Sequence, residues 1–310
     1  MPTNSLPPKT IGFIGLGVMG EPMCRNLAVR RKDIGAPRVI AYDLNAAPVK
    51  RMAEEGGEAA ASIAELVNQS DLILMSLPGG KQVEEVCNAA NGVFAHVKSG
   101  ATIIDLSTTP VDLTRSLAEK FASKSVTFMD APVARTRQAA EQGTLAISVG
   151  GAEETFTRIE PILRCFATDI TYCGGSGSGQ MVKILNNMIL FQTVSALAEA
   201  LTVARKSGMD GEILFKALSN GSADSFALRN HGMKALLPGS FPEQAFSTLY
   251  ATKDLDYALD LAKSAGVTLP GAENVRQLFE KAADQGYGDN YWPVILKVLD
   301  SQQDTASETA

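Results

Sequence analysis

The segment Thr10–Met23, TIGFIGLGVMGEPM, constrains the fold more than any other, because a short β-rich run passes through three glycines spaced GxGxxG straight into a helix-forming stretch. At such a junction Gly15 permits a tight turn, Gly17 lets backbone N–H groups approach a pyrophosphate, and Gly20 lets helix and strand pack closely. The loop Gly15, Leu16, Gly17, Val18, Met19 and Gly20 is therefore expected to cradle a dinucleotide. Asp43 closes the next β-rich run, RVIAYD, about twenty residues further on, where a carboxylate accepts the ribose hydroxyls of NAD and repels a 2′-phosphate. Lys50 and Arg51 follow closely enough to keep NADP open. The structural alternative is that the glycines only build a turn and Asp43 only caps the next helix.

Seven β-rich runs, TIGFIG, RVIAYD, DLILMSLP, ATIIDLS, VTFMD, TLAISVGG and ITYC, alternate with helical stretches up to about Tyr172. This alternation predicts an α/β domain, a parallel sheet with helices on both faces, over residues 9–173. After the glycine-rich stretch Gly174–Gly179 the β-rich runs largely stop. A helical domain over residues 174–300 is expected, entered by a long interdomain helix, with further helices over Asp210–Leu218, Phe226–Leu237, Thr252–Ser264 and Ala272–Asp284.

The net charge of −6 provides no basic excess for a nucleic-acid partner. The longest apolar run, Met181–Ala204, carries Lys183, Asn186, Asn187, Gln192 and Glu199, so it reads as a buried helix and not a bilayer span. Four scattered cysteines and two histidines suggest neither a disulfide framework nor a metal site and fit a reduced, cytoplasmic protein. The first ten residues, polar and proline-rich, read as a disordered lead-in without a secretory signal.

Ligands of open α/β sheets sit beyond the carboxyl ends of the strands. Leu77 and Pro78 follow one such end, on the adenosine-ribose side, and Ser107 and Thr108 follow another. These last two read either as cofactor contacts or as the lead into a helix start marked by Thr109, Pro110 and Asp112. Asp130 closes a third run, and the loop after it carries Arg135 and Arg137, either anion ligands or solvated surface charges.

In QMVKILNNMILFQ, Lys183 and Asn187 fall at i and i+4, on one face of the long helix, with Asn186 alongside. An ammonium among Met181, Val182, Ile184, Leu185 and Met188 is costly to bury, and that cost is how a lysine becomes a usable acid or base. A helix lysine is otherwise a surface charge.

Four motifs, GLGVMGEPM, DAPV with a loop ending in GTL, GGSGSGQMVKILNN and FSTLYATKDLDYAL, together resemble the β-hydroxyacid dehydrogenase family, from Lys9 to about Leu299. The resemblance implies a Rossmann-type domain, a long helix and an all-helical domain, assembled as a homodimer or homotetramer. It implies Lys183 as general acid/base with Asn187 as its partner, Lys253 and Ser107 or Thr108 at the cofactor, and Asn186 and Phe246 beside a small anionic hydroxy acid or aldehyde. One departure concerns the substrate loop, usually DAPVSGG in the family, which reads DAPVART here, with Ala134, Arg135 and Thr136 in place of small residues. This loop is similar to that of sulfolactaldehyde reductases, whose arginine faces a sulfonate, although the apolar Leu190 stands where a sulfonate-contacting serine is expected. Imine reductases and non-catalytic dinucleotide-binding modules share the architecture, but their resemblance is to chains without the lysine.

Overall fold

The computed structural model describes residues 8–35, 38–243 and 245–301. Residues 1–7, most of the polar lead-in, lie outside the described residues. Two compact units part within one helix, the first running up to Lys183 and the second starting at Ile184.

The first unit is built on a sheet of β1 (Thr10–Ile14), β2 (Arg38–Tyr42), β3 (Glu58–Ala59), β4 (Leu72–Met75), β5 (Thr102–Asp105), β6 (Thr127–Asp130), β7 (Val133–Ala134), β8 (Leu145–Gly150) and β9 (Ala167–Gly174). Its order is β3-β2-β1-β4-β5-β6-β8-β7, with β9 also on β8. Every pairing from β3 to β6 is parallel. The expected parallel sheet is thus present from β3 to β6, and beyond that point the sheet is mixed, since β8 runs antiparallel to both β6 and β7 and parallel to β9. The chain leaves β6 through β7 and the short helix Arg137–Gln142, which turn it back instead of carrying it across a sheet face. At two residues each, β3 and β7 are too short for a hydrophobic period to reveal.

Strands β1, β4 and β5 are continuously buried, as strands covered on both faces must be. Ile11, Phe13 and Leu74 pack in the core on one face, and Ile14, Ile73 and Ile103 in the core on the other. The register aligns the strand ends: Ile14 pairs with Tyr42 and Met75, Met75 with Asp105, and Asp105 with Asp130. One edge of the sheet therefore presents Gly15, Asp43, Leu77, the Ser107–Thr109 loop and Asp130 side by side.

The second unit is helical. It continues the helix Ser178–Lys206 and adds Gly211–Leu218, Thr248–Ser264, Pro270–Ala282 and Ile295–Ser301. Asp210 and Ser247 cap two of these by accepting backbone N–H groups, and Pro270 opens a third. Leu228–Leu236, expected as an α-helix, is wound as a π-helix, a distinction that apolar spacing over nine residues does not register. The long helix passes, by length and composition, as able to cross a membrane. Its Phe191, Val194, Leu197, Ala198 and Leu201 lie in the core of the helical unit, where Phe191 meets Trp292 and Phe279 edge-on at 4.9 and 5.4 Å.

Gly179, at the start of the long helix, faces β6 and β8 so closely that an added Cβ would overlap Ser148 O and lie 2.9 Å from Asp130 Oδ2. Gly179→Ala is expected to cost about 1–3 kcal/mol of stability through overpacking. The urea unfolding midpoint checks this, and an unchanged midpoint would mean that the helix start is not seated on these strands.

Candidate active site

The three loop glycines are required for different reasons. Gly15 has φ of +92°, and a Cβ there would overlap Ser76 O. At Gly20 a Cβ would overlap Gly15 O. The protein's own packing demands these two. Gly17 has no atom within 4 Å of where its Cβ would stand, so nothing in the chain requires glycine there. A cradle of this kind, open at the start of the helix Gly20–Arg30, fits a pyrophosphate approaching the backbone.

Asp43 lies beside this loop. Its Oδ2 accepts the Leu16 N–H at 2.6 Å and its Oδ1 accepts the Asn45 N–H at 2.7 Å. The carboxylate thus fixes the loop, and a carboxylate with two bonds made retains acceptor capacity for hydroxyl groups. The Leu16 side chain is buried in the core, whereas Val18 is exposed. Arg51 is held by Glu21 in a forked pair, Nε to Oε1 at 2.5 Å and a terminal nitrogen to Oε2 at 2.8 Å. This hydrogen-bonded guanidinium holds the Glu21 carboxyl below the usual carboxylate range.

At the ends of β4, β5 and β6 the polar groups form one buried network. Ser107 Oγ accepts the Leu77 N–H at 2.9 Å. Asp105 accepts the Ser107 N–H at 2.9 Å and the Thr109 hydroxyl at 2.6 Å. Burial pushes the Asp105 carboxyl up to about 6, against the pull of the bonds from Thr109 and Ser107. The native state therefore holds a proton that the unfolded chain has released between the ordinary carboxylate range and about pH 6, so this group's contribution to stability declines as pH rises through that window. Asp130 accepts the Gly177 and Gln180 N–H groups at 2.8 and 2.9 Å, capping the long helix. Burial raises its carboxyl and these backbone donors pull it back. Gln180 then closes the network, its amide bonded to Thr109 N and Ser107 O.

In the second unit the long helix carries Asn187. It is buried, and its Nδ2 donates to Asp254 Oδ2 at 2.7 Å. With its Nδ2 on Asp254 the amide is fixed in orientation, and Asn187 Oδ1 accepts from Asn186 Nδ2 at 3.2 Å. Lys253 Nζ lies 2.9 Å from Asp254 Oδ1, at ion-pair range but outside hydrogen-bond geometry, and over the rings of Tyr250 and Tyr257. Phe246 packs on Phe191 and Tyr250.

The Ala134–Thr136 segment lies further along β8. Ala134 pairs with Ala146, four residues along β8 from the Asp130–Gly150 pair, or ~13 Å at strand rise. Arg135 has φ of +87°, rare for a residue with a side chain. Its guanidinium is engaged by the chain itself, donating to Thr144 O at 2.6 Å and Thr168 Oγ1 at 3.2 Å and pairing with Asp169 at 2.8 Å. Thr136 caps the following helix by accepting the Ala139 N–H, and Arg137 pairs with Glu141 on that helix's outer face.

Comparison with known proteins fits this arrangement. A family model described as the NAD binding domain of 6-phosphogluconate dehydrogenase matches residues 10–175. A second, described as NAD-binding of NADP-dependent 3-hydroxyisobutyrate dehydrogenase, matches residues 177–299. The chain is 35% identical to 2-(hydroxymethyl)glutarate dehydrogenase of Eubacterium barkeri, over 93% of this chain and 94% of that one. It is 33% identical to the mitochondrial 3-hydroxyisobutyrate dehydrogenase of Mus musculus, over 97% and 90%. The solved structure of Mycobacterium tuberculosis 3-hydroxyisobutyrate dehydrogenase with L-serine superposes at a TM-score of 0.84, with 30% identity, 94% of this chain and 99% of that one. The chain belongs to the β-hydroxyacid dehydrogenase family.

It is accordingly an oxidoreductase that uses NAD(P) and acts on a CH–OH group. In this β-hydroxyacid dehydrogenase the structure gathers the glycine loop, Asp43, Leu77 and the Ser107–Thr108 loop within one unit, and Asn186, Asn187 and Lys253 within the other. Two residues escaped the sequence reading. Asp254 follows Lys253 directly, and its signal was an acidic residue facing inward on an amphipathic helix. Gln180 lies within the quoted GGSGSGQMVK motif, but no local rule marks a glutamine that bonds to a loop some seventy residues earlier.

Gly17→Ala is expected to leave the thermal midpoint unchanged while weakening NADH binding at least tenfold, measured by fluorescence of the bound cofactor. Wild-type affinity would remove the glycine loop from the cofactor site.

Proposed function

We propose that this enzyme interconverts a short 3-hydroxy acid with a primary alcohol and the corresponding semialdehyde, with NAD preferred over NADP. The observation that carries the substrate class is a shared skeleton. The substrates named for the two relatives, 2-(hydroxymethyl)glutarate and 3-hydroxyisobutyrate, and the L-serine accompanying the mycobacterial structure all contain a CH2OH group on a carbon that also bears a carboxylate. The preference for NAD is supported by Asp43 beside the loop and by the capture of Arg51 by Glu21, which takes a cation away from a 2′-phosphate.

NAD, held by the Gly15–Gly20 loop and Asp43 with Leu77, Pro78, Ser107, Thr108 and Lys253 as further contacts, supplies the acceptor for the hydride of the alcohol carbon. In that oxidation Lys183 takes the hydroxyl proton, and in the reverse reduction it returns the proton to the aldehyde oxygen. Asn187, one helical turn from Lys183 and oriented by Asp254, offers its Oδ1 as an acceptor for the lysine ammonium or the substrate hydroxyl. Asn186 and Phe246 border the substrate, and the Ala134–Thr136 segment receives its anionic end. For Arg135 to serve there, its guanidinium must exchange Asp169 for the substrate's anion, a low-cost exchange for a pair that is partly solvated on both sides. Its backbone strain is of the kind retained where a side chain is needed. A homo-oligomer in the cytoplasm completes the proposal, as the family resemblance implies.

Lys183→Ala is expected to lower kcat by at least a hundredfold with NADH affinity nearly unchanged, followed by NADH absorbance with 3-hydroxyisobutyrate and a panel of carboxylate and sulfonate analogues. Near-normal turnover would end the acid/base assignment. Arg135→Ala should raise the substrate's KM about tenfold and leave that of NAD alone. If both constants stay as in the wild type, Arg135 is only the surface partner of Asp169.

A further inference from the structure

We propose that Gln180 is a positioning residue, which locks the Ser107–Thr109 loop to the first turn of the helix carrying Lys183 so that the two sides of the reaction are held at a fixed separation. This rests on the reading above, in which that loop contacts the cofactor and Lys183 moves the proton.

Gln180 is fully buried. Its Oε1 accepts the Thr109 N–H at 3.0 Å, its Nε2 donates to Ser107 O at 2.8 Å, and its own backbone N–H donates to Asp130 Oδ2 at 2.9 Å. One amide therefore reads a donor and an acceptor on either side of Thr108, much as a neighbouring strand would. The arrangement needs a side chain with both functions at this reach: asparagine is a methylene too short, glutamate when ionised has no donor, and methionine has neither. The loop is anchored from two other directions, by Leu77 N–H on Ser107 Oγ and by the Thr109 hydroxyl on Asp105. Lys183 stands one turn along from Gln180 on the same helix, and Asp130 fixes where that helix begins. Hydride transfer is sensitive to displacements on the order of 1 Å, and this amide links the loop directly to the start of the helix that carries the proton donor.

Two variants test the role. Q180M keeps the volume and removes both bonds. It should speed hydrogen exchange of the Thr109 amide at least tenfold in the ligand-free protein, lower kcat at least tenfold, and raise the isotope effect with 4-deuterated NADH, while NADH affinity stays within threefold. In Q180E the introduced carboxyl regains a donor and an acceptor when protonated, in the company of Asp105 and Asp130, with Arg115 near Ser176, Cys173 on β9 and Lys183 one turn along. Its kcat relative to wild type should therefore recover as pH falls and be lost as pH rises. A folded Q180M with wild-type kcat and isotope effect would overturn the proposal. If Q180M does not fold, a Q180E-to-wild-type ratio that is flat with pH overturns it. An active K183A variant would instead refute the acid/base reading, leaving the exchange of the Thr109 amide to report whether Gln180 holds the loop.

Discussion

The carboxylate of Asp130 at the end of β6 is the constraint on which the rest of the first unit's chemistry depends. A long helix leaves its first N–H groups without partners, and Asp130 satisfies two of them from inside the sheet. Burying a carboxylate is unfavourable, and the raised position of its protonation equilibrium shows that cost, yet the backbone donors and the helix dipole make it tolerable. In return the helix start is fixed in rotation as well as position. Fixed rotation decides which side chains of QMVKILNN face which way, and so turns Gln180 onto the Ser107–Thr109 loop.

Two carboxylates, Asp105 and Asp130, occupy adjacent register positions on β5 and β6 and are both buried. Burial raises both carboxyls, with Asp130 adding to the rise at Asp105, and both are compensated by polar bonds to the elements that follow their strands. Polar groups that would destabilise a core are collected here where they order the loop and the helix start that follow the strands. The second unit repeats the device once, with Asp254 orienting Asn187. In each unit, taken by itself, polar side chains are thereby oriented by buried acids.

Arg135 illustrates the opposite case. A residue with a side chain is held at positive φ, on a loop where the family commonly has glycine, and its charge is provisionally neutralised by Asp169. Positive φ and a partly solvated ion pair thus meet in one residue of this loop.

Local rules were enough for much of this protein. The glycine spacing, Asp43 after the second strand and the alternation of runs fix a dinucleotide-binding α/β unit, because turn geometry and strand burial are short-range properties. That Lys183 and Asn187 lie on one helix was legible because apolar spacing marks a long helix whatever surrounds it. Periodicity likewise marked the helix now capped by Asp210 and the one that follows Ser247. What tertiary structure alone decided lies in long-range pairings: the reversal of β8, the seating of Gly179 on β6 and β8, the Gln180 clamp on a loop some seventy residues earlier, and Asp254 on Asn187. Each is a bond between groups far apart in the chain, and no local pattern encodes which distant donor a buried acceptor will find.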